Sequence, residues 1–182
     1  MRAMGPGSVS SFLKIILDVV FAAIWIGITV LAITLLAAVL LSFNPELLDA
    51  IRLKAQAAPG SELARVLDNR AQLISTWAAG GLYLGGMLVI VGSLRKIFMT
   101  LTAGDPFHPD NVARLRLIGL TLAALELGRY AFKAVSAWIM ISVKGVEPSL
   151  NLTAWFSVLV VFVLAEVFRE GARLRREAEL TI

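Results

Sequence analysis

Four side chains that can carry a charge or a proton lie in the middle of an apolar stretch. Glu126, Arg129, Tyr130 and Lys133 interrupt the run Leu117–Val143. Their spacing of three and four residues places them on one face of a helix. A carboxylate there can bind a proton or a cation, or it can pair with the guanidinium three residues on and accept from the tyrosine. Intramembrane charges favour a functional role, although a buried pair can also serve packing alone.

The composition predicts an integral membrane protein with one domain, residues 1–182. The chain is 58% hydrophobic and 16% charged, whereas an average soluble domain is about a quarter charged. It has no cysteine and one histidine, no glycine-rich phosphate loop and no metal-ligand cluster. We therefore expect no enzyme, no cofactor and no metal. The excess positive charge flanks apolar runs, so we interpret it as a topology signal rather than as a nucleic-acid surface.

Apolar runs predict an all-α bundle of four membrane spans. An apolar run of about 20 residues can cross the hydrocarbon core. The first run is nearly twice as long as the apolar part of a signal peptide, which favours an uncleaved span. The predicted spans are approximately residues 15–43, 73–94, 117–143 and 150–168.

The third span is expected to insert only if the cost of its charged residues is lowered by pairing or by reaching the interface. Its eight Leu, Ile, Phe and Val residues from 117 to 137 contribute roughly −2.4 to −4.8 kcal/mol, while each central charge costs about 2.5–3.5 kcal/mol. Pairing of Glu126 with Arg129 would neutralise two charges. Lys133 lies near the far end of the segment and can extend to the interface. We expect this span to insert with its charges facing the bundle interior.

The distribution of Lys and Arg predicts that both termini are cytoplasmic. Ten flank the spans on one side: Arg2, Lys14, Arg95, Lys96, Arg114, Arg116, Arg169, Arg173, Arg175 and Arg176. Five lie on the other: Arg52, Lys54, Arg65, Arg70 and Lys144. The positive-inside rule assigns the first group, with a loop at 95–116 and a tail at 169–182, to the cytoplasm. Four spans satisfy this bias better than three.

The external loop, residues 44–72, is expected to form two short amphipathic helices on the outer surface. Apolar residues recur there at helical spacing on both sides of Pro59-Gly60, a helix-breaking pair. A structured connector is the simpler interpretation, and a cap for an external ligand or partner is the alternative.

Two further sets of residues indicate packing or charge clustering. Gly81 and Gly85 are four apart in the second span, a spacing that lets helices approach closely, either within the bundle or between two copies of the chain. Asp18, Glu166 and Arg169 are expected at the same cytoplasmic depth. We predict that these three form one ion cluster; the alternative is a last helix that continues into solvent with its own pairs.

The segment before the third span is predicted to form a sharp turn followed by the start of a helix. Gly104, Asp105 and Pro106 are residue types that favour turns. Pro109 suits the first helical position and Asp110 suits the positive end of the helix. His108 would precede the helix, where Ser or Thr is the better cap.

Two stretches carry a family resemblance. "GDPFHPDNVARLRLIG" (104–119) and "LAEVFREGARLRREAELTI" (164–182) resemble signatures of the bacterial family catalogued as domain of unknown function 2975, over essentially the whole chain. His108 departs from the usual Ser or Thr. The resemblance implies a multi-pass protein of the bacterial cytoplasmic membrane with no assigned activity and no catalytic residues. Members are often encoded beside a small helix-turn-helix regulator of the Cro/C1 type, which suggests such a protein as a partner.

The functional hypothesis is a regulatory or sensory membrane protein that binds this regulator at its cytoplasmic face. The candidate partner-binding surface comprises Asp105, Pro106, Phe107, His108, Asn111, Arg114, Arg173 and Arg176. The alternative is a small transporter or channel subunit that uses Glu126 in an oligomer, against which stands the neutralising Arg129. The expected partners are the bilayer, the regulator and a second copy of the chain, with no direct nucleic-acid contact.

Overall fold

Helix is the regular structure throughout the part of the chain that can be described. The computed structural model describes residues 9–44, 46, 50, 53, 70–139 and 150–180. Its helices are α1 (Val9–Ser42), α2 (Arg70–Thr102), α3 (Pro109–Ile139) and α4 (Leu152–Glu179). The all-α, four-helix prediction is confirmed. The predicted external helices, and the end of the predicted third span, lie outside the described residues.

Three of these helices are long and apolar enough to cross a membrane. The qualifying segments are Phe12–Leu40 in α1, Ser75–Thr102 in α2 and Leu152–Ala178 in α4. α3 is long enough, with 31 residues, but it does not qualify because its charged residues lower its hydropathy. That α3 inserts poorly by itself stays a prediction.

The helices extend beyond the predicted spans. α2 continues to Thr102 and α3 begins at Pro109, so the connection between them is only the six residues 103–108, which we call the turn. α4 continues to Glu179. In α3 and α4, charged side chains of these extensions pair within the helix at spacings of three and four, so the helix need not end where the apolar run ends.

The described residues divide between two compact units. The smaller comprises residues 24–84 and the larger comprises residues before 24 and after 84. In the larger unit, α2, α3 and α4 share a buried cluster of Ile90, Ile97, Leu115, Ile118 and Ala165. In the smaller unit, Leu31 of α1 lies against Gly80 and Gly81 of α2.

Many large side chains of α1 are exposed although they are apolar. Phe12 and Ile26 are each 66% exposed, and other exposed side chains of α1 include Ile15, Val19, Ile33, Leu36 and Leu40. So many exposed large apolar side chains on one helix are unusual for a soluble monomer. They form the surface that a lipid-facing helix requires.

The close approach of α2 to α3 occurs at a different glycine from the predicted pair. A Cβ on Gly86 would lie 2.7 Å from Leu125, whereas a Cβ on Gly85 would meet nothing within 4 Å. Gly81 makes only ordinary contact with Leu31, at 3.7 Å. Gly86, rather than Gly85, is therefore the residue whose missing side chain lets α2 and α3 pack.

α2 ends in a hydrogen-bonded glycine motif that creates the turn. Gly104 has a φ of +85°, a conformation that glycine adopts without steric cost. The Gly104 amide donates to the Leu101 carbonyl and the Asp105 amide to the Thr100 carbonyl, at 3.1 and 3.0 Å. This pair of bonds is the Schellman arrangement, which satisfies the last carbonyls of a helix.

The two neighbouring glycines provide a matched test of the packing. Alanine should improve helix propensity equally at both positions, but only at Gly86 does its methyl group press on Leu125. We predict that Gly86→Ala is less stable than Gly85→Ala by about 1–3 kcal/mol, the usual cost of overpacking. Thermal unfolding of both variants in detergent measures the difference. Equal midpoints would contradict the assigned contact.

Candidate functional site

The predicted pair in the middle of α3 is formed. Arg129 Nη2 lies 2.5 Å from Glu126 Oε1, and Arg129 Nε donates to Oε2 at 3.1 Å. This two-point geometry is the strongest form of a carboxylate–guanidinium contact. The Glu126 side chain is 9% exposed, while the Arg129 side chain is 37% exposed. The carboxylate has little contact with water, so it depends on Arg129 for stabilisation of its charge.

Tyr130 joins this pair to the start of α4. Its hydroxyl accepts a hydrogen bond from the Asn151 backbone amide at 3.0 Å and lies within interaction range of the Glu126 carboxylate. Asn151 in turn caps α4, because its side chain accepts from the Ala154 amide at 3.2 Å. An asparagine at this position satisfies one of the free amides at a helix start. Lys133, the fourth predicted member of the charged face, is half-buried.

This arrangement can neutralise charge, but it leaves little capacity for a transported ion. Both carboxylate oxygens of Glu126 already contact Arg129. A cation would have to displace the guanidinium and leave a positive charge beside it. We call Glu126 and Arg129 a closed pair, because each neutralises the other and neither carboxylate oxygen is left for a cation.

Asp18 does not join Glu166 and Arg169, contrary to the predicted ion cluster. Its carboxylate pairs with Arg95 of α2 at 2.7 Å. Glu166 pairs with Arg169 on the same helix, and both side chains are more than half exposed. Among the described residues no ion pair links Asp18 to either of them. Equal depth did not imply contact, because the direction in which each helix faces decides which charges meet.

The turn is organised around Asn111, which is completely buried. Its amide nitrogen donates to the Pro106 carbonyl at 3.1 Å and lies 2.7 Å from the Thr100 hydroxyl. Arg114 donates to the Asn111 side-chain oxygen at 3.0 Å and to the Lys96 carbonyl at 3.3 Å. Asn111 therefore links the end of α2, the turn and the start of α3. Its burial removes it from the predicted partner-binding surface and makes it a structural residue.

His108 acts as the cap of α3 despite the preference for Ser or Thr at this position. Its Nδ1 accepts a hydrogen bond from the Asp110 amide at 3.3 Å. In this bond the imidazole supplies a lone pair, which a neutral ring has and a protonated ring lacks. The departure from the family pattern therefore preserves the capping contact.

The turn is docked onto the last turns of α4. Asp105 pairs with Arg175, and the Phe107 ring lies 5.7 Å from the Phe168 ring. A Cβ added to Gly171 would lie 2.5 Å from Phe107, so the aromatic ring occupies the space that the missing side chain leaves. We call this combined surface the turn–tail face; it comprises residues 105–108 of the turn, residues 109–110 at the start of α3 and residues 166–177 of α4.

Most of the predicted partner-binding residues do lie on or beside the turn–tail face. Arg173 is exposed and pairs with Glu170 and Glu177 of its own helix, and Arg176 donates to the Ala172 carbonyl. Arg175 and Gly171 were missed by sequence reasoning. Arg175 is one of four arginines in a short stretch, and nothing local distinguishes the arginine that reaches the turn. Asn151 could have been found, because it directly precedes an apolar helix.

The fold defines an all-helical protein in which three of the described helices are long and apolar enough to cross a membrane. Within the residues that the structure describes, no three acidic, histidine or cysteine side chains gather in a way that could hold a metal ion.

The chain belongs to the family described as protein of unknown function DUF2975, whose model matches residues 54–182. The match covers α2, α3, the turn and α4, and α1 precedes it, so the resemblance spans less of the chain than expected. No curated protein and no solved structure matches the chain significantly.

The closed pair predicts an unusual order of stability among its variants. Arg129→Leu leaves the buried carboxylate without its partner and should be the most damaging, by roughly 3 kcal/mol or more. Glu126→Leu leaves the more exposed guanidinium and should cost less. Glu126→Leu with Arg129→Leu should recover much of the loss, because two apolar side chains replace two opposite charges. The yield of membrane-inserted protein and its thermal midpoint measure this order. Additive losses in the double variant would argue against the pair.

Asn111 predicts a second stability effect. Asn111→Ala should lower stability by about 2 kcal/mol, because the Pro106 carbonyl and the Thr100 hydroxyl each lose a hydrogen-bond partner inside the protein. His108→Ser, three residues away, is the control and should lose nothing, since serine caps a helix well. Thermal unfolding in detergent separates the two. A neutral Asn111→Ala would show that the buried network does not hold the turn.

Proposed function

We propose that this protein is a regulatory membrane protein that binds a small helix-turn-helix transcription regulator at its cytoplasmic face. In this proposal α3 is a fourth span, both termini are cytoplasmic, and the host membrane is the bacterial cytoplasmic membrane. The charge distribution across the predicted spans supports that orientation. Family resemblance supports the identity of the partner.

The observation that carries the proposal is the docking of the turn onto α4. Phe107 in the space above Gly171, with the Asp105–Arg175 pair beside it, joins two separate segments of chain into one surface. A helix end and a turn held together in this way form a preorganised binding surface, and preorganisation lowers the entropic cost of binding.

The charges of this surface favour a protein partner over nucleic acid. Along α4 the arginines alternate with acids: Arg169 pairs with Glu166, and Arg173 with Glu170 and Glu177. Nucleic-acid surfaces present unpaired positive charge to phosphates. A surface of alternating, partly exposed charges instead gives the pattern that selects one protein partner over others. The regulator would then stay at the membrane for as long as these contacts persist.

The transporter alternative receives less support. It requires Glu126 to exchange protons or cations, and both of its carboxylate oxygens contact Arg129. A flux assay on Glu126→Gln tests it directly, and a loss of flux at normal protein level would revive it.

Affinity purification from the native host tests the proposal. The tagged full-length protein, extracted in mild detergent, should co-purify with a small helix-turn-helix protein identified by mass spectrometry. Gly171→Leu should reduce recovery of that protein at least severalfold, because the larger side chain displaces Phe107 and separates the turn from α4. Arg173→Glu should also reduce recovery by reversing a charge on the surface.

Two variants control for unfolding and for net charge. Gly92→Ala adds a methyl group where nothing lies within 4 Å, and Arg116→Glu reverses an exposed charge of α3 outside the turn–tail face. Both should retain the partner. Absence of any helix-turn-helix protein, or equal recovery with all four variants, would contradict the proposal.

A further inference from the structure

A groove between α1 and α2 combines positive charge with an apolar wall. It lies within the larger unit and has a volume of about 280 Å³. Its charged and polar lining comes from Lys14, Asp18, Arg95, Lys96 and Thr102, and its apolar lining includes Leu17, Phe21, Phe98 and Met99. This groove is separate from the Glu126 pair and from the turn–tail face.

Arg95 is fixed in the groove by two contacts. Its guanidinium pairs with Asp18 at 2.7 Å and lies over the Phe21 ring, 4.4 Å from the ring centroid. An arginine has five N–H donors, so the pair with Asp18 leaves donors that can bind a second anion. A side chain already held in one position loses little conformational entropy when a ligand arrives.

The two lysines supply charge that Asp18 does not neutralise. Both Lys14 and Lys96 are exposed, and no ion pair found among the described residues involves either of them. Three cations and one carboxylate give the groove a net charge of about +2. This charge matches an anionic ligand, and in particular a phosphate group, whose oxygens accept from several donors at once.

The position of the groove along the helices indicates a lipid rather than a soluble anion. Lys14 lies two residues inside the apolar segment of α1, and Arg95 lies seven residues before the end of the apolar segment of α2. At 1.5 Å per residue this places Arg95 about 10 Å from the end of that segment. Headgroup phosphates and the first acyl carbons of a phospholipid occupy this depth. The neighbouring side chains Phe12, Leu13 and Ile16 are exposed and apolar, so acyl chains can leave the groove along α1.

We propose that this groove binds one anionic phospholipid, with its phosphate on Lys14, Lys96 and Arg95 and its acyl chains against Phe21 and Met99. Basic pockets between membrane helices commonly bind anionic headgroups. The site requires that α1 and α2 cross the membrane and does not depend on the regulator proposal. Failure of one therefore leaves the other intact.

Lipid binding to the purified full-length protein tests this site. Detergent-solubilised protein is titrated with dioleoyl phosphatidylglycerol or dioleoyl phosphatidylcholine, and bound lipid is counted by native mass spectrometry, with the thermal midpoint as a second measurement. We expect one tightly retained phosphatidylglycerol and a higher midpoint, with little effect of phosphatidylcholine. Glycerol 1-phosphate, which carries the anion without acyl chains, should produce neither change.

Three variants distinguish a specific lipid-binding site from nonspecific electrostatic attraction. Lys14→Gln with Lys96→Gln should weaken phosphatidylglycerol binding by about 30-fold, since each lysine near an anionic lipid contributes roughly fivefold. Gly92→Leu keeps every charge but fills the groove, and it should also abolish retention. Arg116→Gln with Arg173→Gln removes the same charge outside the groove and should leave retention unchanged.

The opposite results would overturn the assignment. Equal retention by the wild type and by the Lys14/Lys96 double variant would show that the groove does not bind lipid. An equal loss in the Arg116/Arg173 control would show nonspecific electrostatic attraction. A response to glycerol 1-phosphate as large as the response to phosphatidylglycerol would show a site for a soluble anion. All variants must first show wild-type midpoints in phosphatidylcholine alone, and a midpoint lowered only in the groove variants would assign these residues to folding instead.

Discussion

Neutralisation of Glu126 by Arg129 is the constraint on which the rest of the fold depends. A carboxylate side chain that is 9% exposed among apolar helices is costly unless a charged partner contacts it. The pair lies within one turn of α3, so it needs no other helix to form. α3 can then pack between α2 and α4 with its charges satisfied. Tyr130 extends the same arrangement to the start of α4 and so fixes where the last helix begins.

At the other end of α3, the hydrogen bonds of Asn111 hold the start of the helix in place. Asn111 is buried and joins the end of α2 to the turn and to α3. The turn in turn contacts α4 through Asp105 and Phe107. α3 is therefore anchored at two levels: its middle contacts the start of α4 through Tyr130, and its first turn contacts α2 and the turn through Asn111. This explains how a helix too polar to qualify as a span by itself becomes the centre of the larger unit.

Sequence reasoning predicted the contacts that are local in the chain. The Glu126–Arg129 pair follows from a spacing of three residues, and the glycine turn follows from Gly104-Asp105-Pro106. Contacts between helices depend on how each helix is rotated, and the sequence pattern does not specify that rotation. For this reason Asp18 was assigned to the wrong partners, and the predicted glycine pair did not include Gly86. The helices also extend beyond the predicted spans, because an apolar run of membrane length does not mark where a helix ends.

We propose that α3 crosses the membrane, which would place the turn and the end of α4 on one side. The chain has no cysteine, so single cysteines can be introduced at Ala103, Leu150 and Leu180, all exposed positions. Labelling of intact cells with a membrane-impermeant maleimide should modify position 150 and should reach positions 103 and 180 only after lysis. Equal accessibility of positions 103 and 150 would show that α3 does not span, and the account would be wrong.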